Sequence, residues 1–161
     1  MPQFTPNRFD PYKNFRFRLK WDGKYIAGVS KVSPLSRITD VIEIRDGEDP
    51  GAPFKALGRT RYEAITLERG VTSDPTFEQW ANQVFSYPNG AAASTQFRKN
   101  ITLDLFNEAE QRILSYQLYN CWPSAYTALP SLDAAVDTVA IESLTLQVEG
   151  WLRDPAVVPP A

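Results

Sequence analysis

From Phe15 to Trp21 the chain alternates without a break: Phe15, Phe17, Leu19 and Trp21 are apolar, and Arg16, Arg18 and Lys20 between them are charged. A strand sends successive side chains to opposite faces, so this segment has one face for a core and one for water. Asp22–Gly23 follows, a pair that accepts the positive φ angles of a two-residue hairpin turn, and Tyr25–Val29 runs back. A first hairpin is expected over about residues 14–33, ended by Pro34. Such a beginning commits the chain to layers of sheet.

The same period recurs. Ile38, Ile42 and Ile44 mark a strand near residues 38–45. A polar loop rich in Gly and Pro follows at Asp46–Pro53, and loops of that kind in compact domains are usually functional or mobile. Arg59–Tyr62 leads into a strand over about 64–69. Asp74–Pro75 then opens a helix over about 75–87, with Asp74 at the N-cap and Pro75 at the first helical position. Phe77, Trp80, Ala81 and Val84 share one helical face. After a small-residue linker at Ala91–Thr95, alternation predicts strands at 101–105 and 114–119 and a long last strand at 139–151. In the last strand the apolar phase changes between Val139/Ile141 and Leu144/Leu146/Val148, which predicts a β-bulge near Glu142–Ser143. About seven strands and one helix imply a mainly β fold, a β-sandwich or open barrel of two antiparallel sheets with one amphipathic helix. With 161 residues, 43% of them hydrophobic, the chain suits a single domain, with an extended arm at 1–13 and a Pro-rich tail at 152–161.

Charge and chemistry narrow the function. Net charge is −2 and the 17 basic residues are scattered, so nothing favours specific nucleic-acid binding or an anionic membrane surface. No apolar run approaches the ~20 residues that span a bilayer. The N-terminus lacks the apolar segment of a secretory signal, so cytoplasmic synthesis and assembly are expected. There is no histidine and one cysteine, Cys121, which removes the usual base of a nucleophilic triad and the usual zinc ligands. No phosphate-binding loop is present, and the acidic run Asp46, Glu48, Asp49 lacks the spacing of a calcium loop. No catalytic residue, cofactor or metal is expected. The row Arg16, Arg18, Lys20 is either a solvated face or a contact for an acidic surface on another subunit. The strands at 139–151 and 101–106 carry little of the charge or proline that blunts exposed sheet edges; if either lies at an edge, it invites a strand from another copy.

Several segments, taken in order, resemble the tail tube proteins of contractile-tailed phages and the inner tube proteins of phage-derived contractile injection systems. They are Asp10–Phe17, Ile26–Ser33, Ile42–Gly47, Ile65–Thr72, Asn120–Pro123 and Val139–Leu146 with Glu149–Gly150. The resemblance covers about residues 10–151. It implies homohexameric rings whose sheets close into one inner barrel, stacked as a hollow tube that conducts DNA or effector protein. Its partners would be itself, sheath, baseplate and tube-terminating proteins, and cargo in the lumen, in a virion tail or injection particle. It implies no active site. The segment after Ile44 would be a ring-stacking loop, with Arg45, Asp46, Glu48, Asp49, Lys55 and Arg59 as candidate contacts. Candidate polar residues for the lumen are Thr102, Asp104, Ser143, Thr145, Gln147 and Glu149. The alternatives are a secreted type VI-like ring protein, a tube-end adaptor, or a monomeric ligand-binding β-sandwich.

Overall fold

The computed structural model describes residues 16–45, 47, 51, 54–85 and 97–158. The expected N-terminal arm, the linker at 91–95, and Asp46, Glu48 and Asp49 lie outside them. In chain order the elements are β1 (Arg16–Trp21), β2 (Lys24–Tyr25), β3 (Val29–Val32), β4 (Arg37–Ile44), β5 (Phe54–Tyr62), β6 (Ile65–Gly70), α1 (Thr76–Phe85), β7 (Lys99–Phe106), β8 (Arg112–Thr127), β9 (Ile141–Gln147) and β10 (Gly150–Arg153).

Eight strands form one hydrogen-bonded sheet in the order β2-β1-β7-β8-β9-β6-β3, with β10 also on β8. Every pairing is antiparallel. The sheet doubles over because β8, sixteen residues long, belongs to both halves. Its first part pairs with β7 and β10, and from Trp122 it pairs with β9. Between these parts Asn120 takes φ 51, and the register slips between Pro123 and Ala125. An extra residue of this kind bends and twists a strand, which turns β8 from one layer into the other. The fold is therefore mainly β and two-layered, with antiparallel pairing and no closed barrel.

The layers meet through their apolar faces. Leu19, Leu103 and Leu118 come from one, Leu67, Leu144 and Leu146 from the other, all buried in one cluster. Helix α1 closes one side of this core with Phe77 and Trp80, which stack against Trp21 at ring-centroid distances of 6.0 and 4.9 Å. Trp80 keeps its indole N–H satisfied by donating to the Phe97 carbonyl at 2.7 Å. Burying such side chains contributes about 1.5–3 kcal/mol each.

Several expectations hold. Asp22 and Gly23 take φ 53 and 75, as the two-residue turn requires. Asp74 caps α1, accepting from the Thr76 backbone N–H at 3.2 Å and the Thr76 hydroxyl at 2.5 Å. Others are corrected. The return strand of the first hairpin is only Lys24–Tyr25; beyond it the chain crosses to the other layer, where β3 pairs with β6. Residues 54–62 form a strand, and β8 runs through Trp122–Pro123 where an end was expected. The expected bulge at Glu142–Ser143 is absent, since β9 pairs with β6 in unbroken register from Ile141 to Leu146. Glu142 itself occupies an inward position, matched to Arg69, so the apparent phase change is a buried ion pair within a regular strand. The break falls after Gln147, and β10 is a separate strand. The tail also joins the fold: the Asp154 N–H donates to the Ser115 carbonyl at 2.8 Å and Val157 is buried.

Candidate assembly surfaces

Among the described residues three kinds of surface stand out: unpaired strand edges, a projecting hairpin, and two outward sheet faces of different charge.

Of the two segments considered as possible edges, only the last residues of 139–151, in β10, lie at one. β7 sits between β1 and β8, and β9 between β8 and β6. The edges of this sheet are β2 with Arg16–Arg18 of β1, β3, β10 and the second part of β8, each with a ladder on one side only among the described residues. An open edge presents backbone N–H and C=O groups to any strand that approaches.

Strands β4 and β5 form a separate two-stranded ribbon. Its root is tied by the Glu63 N–H donating to the Ser36 carbonyl at 3.0 Å. There Arg37 and Tyr62 pack on Trp151, the guanidinium 5.4 Å and the phenol ring 5.7 Å from the indole. Beyond the root the ribbon packs on itself, with every residue of β4 exposed. Asp40 pairs with Arg61 at 2.6 Å, which raises the Arg61 pKa, and Thr39 and Thr60 hydroxyls meet at 2.8 Å. At Gly58 a Cβ would lie 2.8 Å from the Asp40 carbonyl oxygen, so only glycine fits beside this bulge. Ile42 pairs with Ala56 and Ile44 with Phe54, which places these four apolar residues on one face of the ribbon. Of the expected stacking-loop residues, Lys55 and Arg59 are on strand β5 and Arg45 just follows β4; all three are exposed.

The expected lumen residues divide between opposite faces. Ser143, Thr145 and Gln147 lie on the outer face of the β8-β9-β6-β3 layer. There Thr145 and Thr66 hydroxyls meet at 3.2 Å, and the Gln147 amide donates to the Ser124 hydroxyl at 3.0 Å. One charge pair joins them, Glu68 with Lys31 at 3.7 Å. Thr102 and Asp104 belong to the other layer, whose outer face carries Arg16, Arg18, Lys20 and Arg112. Thr102 donates to Gln117 at 3.0 Å. Asp104 is not a wall residue in the folded subunit: it is 1% exposed, accepting from Ser115 at 2.7 Å and Tyr25 at 3.3 Å with Arg112 at 3.9 Å. Hydrogen bonds from Ser115 and Tyr25, with Arg112 nearby, offset the cost of covering this carboxylate. Glu149 is exposed but engaged beyond the end of β9, by Arg98 and by the Asn120 amide at 2.9 Å.

Behind these surfaces lies a buried clamp that pattern reading missed. Arg69 is fully buried and donates to Glu142, to the Asp74 carboxylate at 3.1 Å and to the Asp74 carbonyl at 2.8 Å. Its guanidinium lies 4.1 Å from the Phe77 ring centroid. The clamp ties β6, β9 and the start of α1. Tyr126 donates to Glu142 at 3.1 Å, and burial first, then this carboxylate, raises the phenol's pKa. The signal available in the sequence was the single charge at an inward position of each strand. Cys121 is buried, and burial pushes its thiol pKa up to about 12, so it has the character of a small core residue. Among the described residues no group of acidic, Cys or His side chains is arranged to hold a metal. Nor, among the described residues, is any helix long and apolar enough to cross a membrane.

A two-layer β subunit with open edges and an uncovered arm is built for association with other polypeptides. The family model described as T4-like virus tail tube protein gp19 matches residues 13–152, and the chain belongs to that family. It is a tail tube protein of the kind found in phage-like contractile injection systems. Among solved structures it is similar to a chain of the sheath/tube terminator of an extracellular contractile injection system, PVC, in the extended state. That match has 28% identity and TM-score 0.75, covering 90% of this chain and 97% of that one. A chain of the PVC sheath–tube complex matches at 27% identity and TM-score 0.72, covering 89% and 91%. A chain of the anti-feeding prophage tube-terminating cap matches at 25% identity and TM-score 0.74, covering 95% and 99%. Hcp1 from Flavobacterium johnsoniae shares the fold at 15% identity and TM-score 0.51, covering 85% and 93%. No curated protein sequence matches the chain.

Proposed function

We propose that six copies close into a ring, that rings stack into a hollow tube, and that the tube conducts DNA or effector protein as part of a virion tail or injection particle. The observation that carries this reading is the set of open strand edges at β2 with the outer part of β1, at β3, at β10 and at the second part of β8. Head-to-tail contacts close when the rotation between copies closes, and closure removes the edges. The outer face of the β8-β9-β6-β3 layer is the wall this reading assigns to the lumen, through Ser143, Thr145 and Gln147 with Thr66. Its hydroxyl and amide rows offer no array of one charge on which a charged cargo would stall. The four cations of the opposite face suit a protein partner outside the tube, in a sheath or baseplate. The β4–β5 ribbon, with Arg45 and Lys55 at its far end and Arg59 closer to its root, is the ring-to-ring contact, and Asp46, Glu48 and Asp49, next in sequence after Arg45, belong to the same proposed contact. No step of this role needs catalysis.

A tube-end role is the second reading, favoured by the likeness to chains of terminator and cap assemblies. Electron microscopy of the purified protein tests both. Six-fold rings that extend into tubes support the first, and rings that never stack support the second. A monodisperse 18.2 kDa monomer at high concentration overturns both.

A further inference from the structure

The layer that does not form the proposed wall ends on one side at β1 and β2. Strand β2 covers only Lys20 and Trp21 of β1. Just before them the Leu19 carbonyl accepts from the Ile26 N–H at 2.8 Å. Along a strand, every second residue turns its N–H and C=O to the same side, so those of Phe17 face the same edge as the Leu19 carbonyl. Among the described residues no strand pairs with Arg16–Arg18 on that side.

The same stretch carries the cations Arg16, Arg18 and Lys20 on its outer face. Asp104 lies across from Arg18 on β7, but Ser115 and Tyr25 already hold it. Arg16 meets Glu110 at 3.6 Å with both side chains largely exposed, a kind of pair that holds weakly. Arg18 lies 5.0 Å from the Phe106 ring centroid and 6.0 Å from that of Tyr25, and Lys20 lies 5.7 Å from the Tyr25 ring. Among the described residues neither Arg18 nor Lys20 has an ion-pair partner. Open backbone groups and uncompensated cations therefore coincide on one short edge.

The chain's other open edges in this sheet do not suit it. Strands β3 and β10 and residues 122–127 of β8 contain no Asp or Glu, while β3 brings Lys31 and β10 brings Arg153. Like charges set directly across two strands repel, and opposite charges attract. In a ring, β3 and the second part of β8 bound the wall layer and can meet each other; β1 bounds the other layer.

We infer that the outer edge of β1 takes an extended acidic segment of a different protein as an added strand, with carboxylates set across from Arg16 and Arg18. Main-chain bonds at Phe17 would hold the segment, and the cations would select it. This rests on the tube reading for placing the face outside the bore, and it names the chemistry of the partner there.

Fluorescence anisotropy of the full chain with a labelled peptide of alternating Glu and Val tests it. That peptide is expected to bind roughly tenfold or more tighter than one with the same residues in two blocks, or with Lys in place of Glu. Arg18→Glu, with unchanged circular dichroism, should reverse the preference so that the Lys peptide binds better. Because only one side of an added strand faces β1, N-methylation of every second peptide amide should abolish binding in one phase and spare it in the other. Equal effects of both phases overturn the inference, as does equal binding of the acidic and basic peptides. Tighter binding of a single-stranded oligodeoxynucleotide also overturns it, giving the cations to phosphate. So does peptide binding that appears only after deletion of residues 1–13, or only after Asp46, Glu48 and Asp49 are neutralised, since either gives the edge to this chain. Electron microscopy of the same samples separates the two readings. Tubes that bind no acidic peptide overturn the added strand alone; selective binding by a protein that never forms rings overturns the tube reading and leaves the added strand standing.

Discussion

The β6–β9 pair and the β4–β5 pair are both antiparallel and both rich in Ile and Leu; the first keeps one register over six pairs, and the second forms seven pairs with a slip between Thr39 and Val41. They differ in what lies above and below them. On β6 and β9 the inward residues Ile65, Leu67, Leu144 and Leu146 are essentially without exposure. On the ribbon Val41, Ile42, Ile44, Phe54 and Leu57 all stand in solvent. An isolated two-stranded hairpin is marginal in water. The body therefore draws its stability from itself, whereas the ribbon, with no layer packed above or below it among the described residues, contributes little to the fold and suits the assembly role proposed for it.

That contrast breaks hardest at the clamp. Arg69→Ala leaves Glu142 buried without its cation, and stability should fall by about 3–5 kcal/mol in a urea titration. A loss under 1 kcal/mol would mean that the clamp does not hold the two strands and the helix together. The next effect is smaller and local. Asp74→Ala removes the N-cap of α1 and should cost about 1 kcal/mol. Asp74 also sharpens the pH dependence. Its pKa is lowered, first by the Thr76 hydroxyl bond, then by the Thr76 backbone N–H and by Arg69, against a rise from burial. A carboxylate whose folded pKa lies below its unfolded value stabilises the protein above the unfolded value. That contribution is lost as pH falls through the folded pKa, so thermal stability should decline below about pH 4. In Asp74→Ala the decline should be shallower; identical slopes would remove Asp74 from the acid limb. The smallest effect on folding belongs to the ribbon. Leu57→Ser, at a position 87% exposed, should shift monomer stability by no more than about 0.5 kcal/mol in either direction. A larger loss in the monomer would show that the ribbon supports the body after all.

The sequence was readable wherever a local rule acted alone. The Asp22–Gly23 turn and the Asp74 cap needed only backbone chemistry, and both stand where expected. The first misreadings came where a tertiary partner overrode a local sign. Glu142 looked like a fault in the alternation because an inward carboxylate is rare; Arg69, seventy-three residues away, makes it regular. Pro123 looked like an end, yet β8 continues past it because the ladder slips register there. Strand β5 was hidden for a different reason. A ribbon wetted on both faces has no buried side, so Lys55, Arg59 and Arg61 broke no pattern and marked none. For the candidate surfaces, residue type was legible in Ser143, Thr145 and Gln147, which do share one face. What alternation could not supply was strand order, and so Thr102 and Asp104 were grouped with residues on the opposite side of the molecule. The pairing that sets Ala56 and Phe54 beside Ile42 and Ile44 was invisible for the same reason.

The bend at Asn120 carries a mechanical meaning. Because a single backbone enters both layers, sliding one past the other would stretch covalent bonds instead of separating loosely held plates. Under load the two layers should behave as one stiff bead, and compliance should concentrate in the slender β4–β5 arm, which stands outside the shared backbone.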